Sequence, residues 1–536
     1  MTTMTGGEAV VRALAAHGVD TAFGIPGTHN LAIYAHLSAY GIRHVSPRHE
    51  QGAGYAADGY ARVAGRPGVA ITTTGPAALN AAAAAAQSFS DSVPVLHVSP
   101  GLPLGHPGRG NGYLHEVKDQ TRAMDAVTAY SHRVTAVAEI PGAVAEAFAS
   151  MTAGRPRPVH LEVPLDLLET SGTVTDVEPV EIARSAAPPA RIGDAARFLA
   201  PSQRPVVIVG GGARHAATHV RALAERLGAV VVATTNGKGT FDEAHPLSVG
   251  AGLHHPTIAA LVEDADAVVA VGTELAPSDL WNGPLPLDGR LVRIDVDPGQ
   301  VLRNARPHVG LVGDAAATLE ALTAALAPAP DPSTAETRAA RWRNRLHEDA
   351  RVEGAAWVGL IEILARFLPA DSVVAGDSAM VCYYGALTNL PRHRPASFLY
   401  PTGLGTLGYG LPAAIGAKLA RPQADVLALL GDGGLMFTVA ELAAAAQVGL
   451  PLAVVVVDNR GYGEIRREML ERDERPLGTE LPTVDFPAVA RGFGCHAHRI
   501  TDLADLPQLL EAAFCTDRPT LLHVDEALAG APATGR

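Results

Sequence analysis

The chain has 536 residues, 47% of them hydrophobic, 18% charged and 5% aromatic. At roughly 100–200 residues per domain this is too long for one core, so about three domains are expected, and the composition excludes a disordered chain. The net charge of −13 and the absence of a basic stripe argue against nucleic acid as a partner, and apolar runs such as Pro451–Val457 fall far short of a membrane span. Cys382, Cys495 and Cys515 are scattered, with no CxxC and no zinc spacing. Free thiols in a reducing compartment are expected, with the cytoplasm as the default.

In chain order, "MTTMTGGEAVVRALAAHGVD" lacks a basic leader and a long apolar run, and reads as an amphipathic helix of the mature protein. A first block, 1–175, alternates strand candidates "TAFGIP", "GVAITTT", "VPVLHVS" and "PVHLEVP" with helical stretches. "TSGTVTDVEPVEIARSAAPPARIG" then reads as a linker. A second block, 190–325, carries "RPVVIVGGGA", "AVVVATT", "ADAVVAVGT" and "RLVRIDVDP". "LAPAPDPSTAET", residues 326–337, is a second proline-rich break. A third block, 350–536, carries "SVVAGD", "DVLALLGDGG", "LAVVVVDN" and "PTLLHVD". Short β-rich runs alternating with helices predict an α/β protein of three doubly wound domains with mostly parallel sheets.

Asp432 and Asn459 each end a buried strand beside glycine. In parallel α/β sheets, ligands sit at the carboxyl ends of strands. A carboxylate and an amide oxygen there suit Mg²⁺, while Gly431, Gly433 and Gly434 let backbone approach a phosphate closely. Singly, each residue is better read as a helix cap or an Asx turn; the pair, one helix and one strand apart, favours a metal–diphosphate site. "VVIVGGGARHAA" lacks a GxGxxG and reads as a tight strand–helix turn. Glu464 and Glu468 are spaced i, i+4 on one helical face. They call for a cation, either a cationic ligand or a neighbour among Arg466, Arg467 and Arg472.

GDG followed by a helix, a strand and Asn resembles the cofactor motif of thiamine-diphosphate enzymes. "FGIPG", "RHEQGAGYAADGYAR", "GPAALN" and "GLGTLGYGLPAAIGA" extend the likeness in order along nearly the whole chain. They are similar to acetolactate synthase and the related 2-oxo-acid decarboxylases. The resemblance implies pyrimidine-binding, central and diphosphate-binding domains, with thiamine diphosphate and Mg²⁺ as cofactors. Asp432, Asn459 and the Gly461 carbonyl match the metal ligands, although the usual Asn-Asn is Asp458-Asn459 here. Glu50 matches the carboxyl group that bonds the aminopyrimidine ring and drives the proton transfer that makes the thiazolium carbon nucleophilic. The Gly405 carbonyl matches the acceptor of the ring amino group, and Leu407 the apolar wedge that bends the cofactor.

His29, His115 and, beside His29, Thr28 match positions bordering the reacting centre. Acetolactate synthases tend to carry glutamine where His115 stands, and an imidazole there suits the proton delivery that ends a decarboxylation. Against this, most of 21 histidines must be structural or surface groups. Gly210–Gly212 match the synthases' flavin domain, but its arginine- and aspartate-rich stretch is replaced by "VGTELAPSDLW", so FAD is not expected. Glu464, Ile465 and Glu468 match substrate-pocket positions that are apolar in relatives. "GIPGTHNLAIY", "RHEQGAGYAADGYARVAGRPGV" and "LHEVKDQTRAM" are most similar to the 5-guanidino-2-oxopentanoate decarboxylases.

The implied activity is non-oxidative decarboxylation of a small 2-oxo acid with a cationic, guanidino side chain, giving an aldehyde and CO₂. The alternatives are acetolactate-type carboligation and, from another class, a non-catalytic cofactor-binding regulator. The resemblance also implies a homodimer at minimum, with a homotetramer expected.

Overall fold

The computed structural model describes residues 1–180, 182–328 and 332–530. The chain opens with strand β1 (Thr2–Thr5), and the amphipathic helix starts only at Gly6, where the Thr5 hydroxyl accepts from the Glu8 N–H at 3.2 Å. The predicted helix is thus shorter than the segment assigned to it. The first sheet contains β2 (Thr21–Gly24), β3 (Arg43–Val45), β4 (Gly68–Ile71), β5 (Val95–Gly101), β6 (Ser131–Arg133) and β7 (Val159–Pro164). Its order is β3-β2-β4-β5-β7-β6, all parallel. The predicted linker begins as a strand, β8 (Ser171–Val174), which pairs antiparallel with β1; its Glu181 lies outside the described residues.

The central sheet contains β9 (Pro205–Val209), β10 (Val230–Ala233), β11 (Ser248–Ala251), β12 (Ala267–Val271), β13 (Leu291–Asp295) and β14 (Val309–Val312). The order is β11-β10-β9-β12-β13-β14, again parallel throughout. The second proline-rich break is partly helical: a helix runs Pro332–Glu353, while 329–331 lie outside the described residues, as do 531–536 of the third block. The third sheet contains β15 (Val373–Gly376), β16 (Phe398–Leu399), β17 (Val426–Gly431), β18 (Ala453–Asp458), β19 (His496–Ile500) and β20 (Thr520–Asp525). Its parallel order is β16-β15-β17-β18-β20-β19. Inner strands such as β9 and β12 are buried at every position, which is why they are apolar without alternation.

The first and third units share one core. Phe23, Tyr55 and Tyr60 pack in a single cluster with Tyr409, Ile415 and Leu430. At its centre the helix Glu50–Ala64 crosses the helix Gly410–Ala420 so closely that side chains cannot intervene. A Cβ on Gly59 would stand 2.3 Å from the Ala413 carbonyl oxygen, and one on Gly416 1.9 Å from that of Ala56. Beside the crossing, Arg62 donates from Nε to Asp58 at 2.6 Å, from Nη2 to Asp91 at 2.8 Å and from Nη1 to Asn236 at 2.9 Å. The Tyr409 hydroxyl donates to Asp58 at 2.7 Å and the Gly403 N–H to Asp91 at 2.8 Å. Arg62 therefore joins all three units.

The crossing makes a direct prediction. Gly416→Ala puts a methyl group into backbone and should cost about 1–3 kcal/mol. Thermal unfolding followed by circular dichroism should show a lowered midpoint; an unchanged midpoint would mean that the helices can part freely.

Candidate active site

The carboxyl ends of β15, β17 and β18 are neighbours in the third sheet and carry Asp377, Asp432 and Asn459 in turn. Asp432 is only 4% exposed. Burial and the neighbouring Asp458 push its carboxyl group up to about 6, against the backbone N–H groups of Asn459, Gly433 and Gly461. One arm of the Asn459 amide lies 2.9 Å from the Gly461 carbonyl oxygen and 3.3 Å from Asp432 Oδ1. The other arm faces Glu526 Oε1 at 3.5 Å and Met380 Sδ at 3.9 Å. Glu526 Oε1 also accepts from the Trp357 indole at 3.1 Å. All the oxygens around the amide accept only, so hydrogen bonding favours the NH₂ group on the arm between Gly461 and Asp432, where it donates to both. A cation held there would reverse that choice: the amide oxygen would turn inward and join Asp432 and the Gly461 carbonyl as a third oxygen donor. Gly461 cannot be replaced: its φ is +151°, and a Cβ would lie 2.0 Å from the Thr479 carbonyl oxygen.

Asp458 turns away from this cluster. His523 Nε2 lies 2.9 Å from its Oδ2, and its Oδ1 accepts from the Arg460 N–H at 2.9 Å. Burial raises this carboxyl group, but those hydrogen bonds prevail and it sits below its ordinary value. Asp377, fully buried, accepts from the N–H of Ser378 at 2.8 Å and of Gly408 at 3.0 and 3.1 Å, and burial pushes it up to about 6. It anchors the loop of Gly405, at φ +67°, and the half-buried Leu407. Gly433 and Gly434 lie close to Tyr462 and Asp377, with room for no larger residue without displacement, and Gly431 borders Ala379.

A second cluster stands at the carboxyl ends of β2, β3 and β4. Glu50 opens its helix, and its Oε2 accepts from Asn80 Nδ2 at 2.9 Å. His29 is buried, with Nδ1 3.1 Å from the Thr74 hydroxyl and its ring 5.1 Å from that of His115. Burial first, and His115 second, lower the His29 pKa. His115 has φ +62°, and its carbonyl presses on Gly75, where a Cβ would lie 2.1 Å away. Its Nδ1 is buried without a hydrogen-bond partner. Thr28 is exposed beside His29. Among the described residues no hydrogen bond joins Glu50 to Asp432; each belongs to its own cluster.

Glu441, from the third unit, holds the start of the Glu50 helix. Its carboxylate accepts from the N–H groups of Arg48 at 3.0 Å and His49 at 3.0 Å, and it is 1% exposed. Burial pushes it up to about 7 against those bonds. Gly52 makes space for it: a Cβ there would meet Glu441 Oε1 at 2.4 Å.

The helix Gly463–Glu471 follows the Asn459 loop. Glu464 Oε1 accepts from the Tyr384 hydroxyl at 3.0 Å and from Arg467 Nη2 at 2.6 Å, while its Oε2 is buried and makes no hydrogen bond of good geometry, with the Tyr383 hydroxyl as its polar neighbour. Glu468 meets Arg472 at 3.5 Å on the surface, and Ile465 is exposed. Of the two cations the sequence allowed, the neighbouring arginine is present for both carboxylates, but only Glu464 keeps a spare buried oxygen. A cavity of about 770 Å³ lies where the three units meet, lined by Gly211, Arg214 and Asp295 of the central unit, Arg155 of the first and Arg394 of the third.

Residues 4–123, 192–322 and 378–524 match, respectively, the N-terminal TPP-binding, central and C-terminal TPP-binding domains of thiamine pyrophosphate enzymes. The chain belongs to the thiamine pyrophosphate enzyme family. The enzyme is 42% identical to the probable 2-ketoarginine decarboxylase AruI of Pseudomonas aeruginosa, over 98% of this chain and 95% of the relative. It is 35% identical to the acetolactate synthase isozyme 2 large subunit of Escherichia coli, over 97% and 95%. It is 33% identical to the probable acetolactate synthase large subunit of Methanocaldococcus jannaschii, over 99% and 94%.

Sequence reasoning missed Asp377, Asn80 and Glu441. Asp377 carried a signal, since "AGDS" ends a strand just as "LGDG" does. Asn80 ends a quoted motif, and Glu441 carried none.

The raised carboxyl group of Glu441 gives a pH prediction. A folded value of about 7 against an ordinary 4.5 means that the folded state favours the proton. The contribution of Glu441 is whole below pH 4.5 and is lost as pH rises through about 7. Glu441→Gln, which mimics the protonated form, should flatten that decline. Thermal midpoints of parent and variant should diverge from pH 5 to 7.5; parallel curves would rule the effect out.

Proposed function

We propose that the enzyme decarboxylates a 2-oxo acid bearing a guanidino side chain, without oxidation, releasing CO₂ and the corresponding aldehyde. The observation that carries this reading is Glu464, a carboxylate with one buried oxygen that no cation takes, on the first turn after the Asn459 loop. The 2-ketoarginine decarboxylase relative supports the same substrate.

Mg²⁺ would suit Asp432, the Gly461 carbonyl and Asn459 with its amide oxygen turned inward, and the diphosphate would suit Gly431, Gly433 and Gly434. Bound there, thiamine diphosphate supplies a nucleophilic carbon and a sink for the electrons that CO₂ leaves behind. The chain's own residues do the rest. Glu50, oriented by Asn80, would hold and move a proton at the pyrimidine ring, the Gly405 carbonyl would accept from the ring's amino group, and Leu407 would pack against the cofactor. His29 and His115 face each other, and the lowered pKa of His29 keeps one imidazole neutral, so the pair can hold and deliver the proton that ends the reaction. Thr28, Ile465 and Glu468 border the substrate.

Glu50 and Asp432 belong to separate clusters, which supports a site completed by a second copy: a homodimer at minimum, and a homotetramer by family likeness. Exposed Leu79, Leu404, Met436 and Phe437 are apolar surfaces suited to such a partner. A cytoplasmic setting agrees with three free cysteines; no helix among the described residues is long and apolar enough to cross a membrane. The acetolactate synthase relatives keep carboligation as the second reading. A purely regulatory role is opposed by the complete set Glu50, Asp432 and Asn459.

Release of CO₂ and aldehyde from 5-guanidino-2-oxopentanoate, pyruvate and an uncharged oxo acid of similar length tests the proposal. The guanidino acid should have the highest kcat/KM; preference for pyruvate with acetolactate as product would refute it. Glu50→Gln should lower kcat about 10²–10⁴-fold and slow deuterium exchange at the thiazolium C2. Undiminished exchange would remove Glu50 from the proton transfer.

FAD is not part of the proposed cofactor set, because "VGTELAPSDLW" replaces the flavin stretch beside the central cavity. Protein purified without added cofactor should show no flavin absorbance. A stoichiometric flavin released on denaturation would revive the synthase reading.

A further inference from the structure

Arg467 sets its guanidinium between Glu464 and Tyr384. Its Nη2 donates to Glu464 Oε1 at 2.6 Å and also to the Tyr384 hydroxyl. Its guanidinium carbon stands 4.8 Å from the centre of the Tyr384 ring. Charge, hydroxyl and aromatic face together make a full set of guanidinium contacts. Arg467 is nevertheless loosely held: its side chain is 45% exposed, and its other ion pair, to Glu471, is 3.6 Å long. Such exposed pairs within a helix contribute little.

Glu464 is not satisfied by this neighbour. Arg467 takes one carboxylate oxygen and leaves Oε2 buried, with no cation and only the poorly aligned Tyr383 hydroxyl for company. An ordinary surface pair leaves its spare oxygen to water, and a buried one without a partner is costly. Aromatic rings gather on the Tyr384 side of Glu464. The Tyr383 and Tyr384 rings are 4.5 Å apart at 72°, and Trp281 of the central unit faces them at 6.0 and 5.9 Å, nearly perpendicular to both. A cavity of about 200 Å³ opens beside Trp281 and Tyr383.

We infer that Glu464 and Tyr384 form a guanidinium subsite, and that Arg467 fills it as an internal stand-in which the guanidino end of the substrate displaces. This rests on the substrate reading given above and adds to it a residue that competes with the ligand. An incoming guanidinium can take both oxygens of Glu464, which Arg467 does not. The arginine then swings out on its flexible stem toward Glu471 and water.

The test is calorimetric titration of the full-length holoenzyme with methylguanidinium, in the parent and in Arg467→Met, Arg467→Lys and Glu464→Gln. With its competitor removed, Arg467→Met should bind about fivefold more tightly. Arg467→Lys, lacking the planar fork, should fall between, and Glu464→Gln should lose binding. Equal, weaker or undetectable binding in Arg467→Met overturns the stand-in, and undiminished binding in Glu464→Gln overturns the subsite. The ratio of kcat/KM for 5-guanidino-2-oxopentanoate to that for an uncharged oxo acid, measured on the same proteins, separates the two layers. Predicted methylguanidinium behaviour with preference for the uncharged acid sinks the substrate reading alone. Preference for the guanidino acid, with a ratio indifferent to Arg467 and Glu464, sinks the subsite alone.

Discussion

Arg62 carries a positive charge into a place that water does not reach. Its side chain and that of Asp58 have no exposed surface, and Asp91 has almost none. Removing a charge from water is costly unless every donor finds an acceptor, so the position of each partner is constrained. Those partners come from all three units: Asp58 and Asp91 from the first, Asn236 from the central one, and Tyr409 and Gly403, reached through the two aspartates, from the third. The Gly59 and Gly416 crossing then sets the separation of two helices to backbone contact. Glu50 stands at the far end of one of those helices, so its place is decided by packing and charge at the opposite end.

Both clusters of the site use one device, the open carboxyl ends of parallel strands. There backbone N–H groups and short polar side chains converge without a following strand to satisfy them. In the third sheet this collects acidic groups: Asp377 and Asp432 are both held up to about 6 by burial. A cation among the oxygens of Asp432, Asn459 and Gly461 would hold Asp432 ionised at the expense of that burial. In the first sheet the same device collects Glu50 and the His29–His115 pair. Glu441 bridges the two, reaching from the third unit to the N–H groups that precede Glu50.

The helix after the Asn459 loop carries two carboxylates on one face. Carboxylates at Glu464 and Glu468 answer a cation, and the chain supplies arginines to both. The difference between them is burial: Glu468 is a surface pair, whereas Glu464 lies under Tyr384 with an oxygen to spare.

The inner strands were legible in the sequence. In each sheet the four inner strands, such as "PVVIV" in β9 and "AVVVVD" in β18, are buried on both faces and so read as apolar runs. The unread strands are the edges of the three large sheets, "RHV", "SHR", "SVGA", "VGLV", "FL" and "HAHRI", and the two-stranded pair "TTMT" and "SGTV". They are short, and several keep one side in water, so no apolar run marks them. The positions of Asp432, Asn459 and Glu50 at strand and helix ends were legible because local motifs mark those ends. Glu441 lies 391 residues from Glu50, and no local pattern records that its carboxylate meets the backbone before that helix. Nor does spacing tell which arginine pairs with Glu464, or that Tyr384 lies beneath it. Sequence by itself determined the elements and the chemistry available at their ends, since burial and turn chemistry act within a few residues. Which groups meet across units, and which of their oxygens remain unsatisfied, only the tertiary packing decided, because partner choice depends on distances that the chain order does not encode.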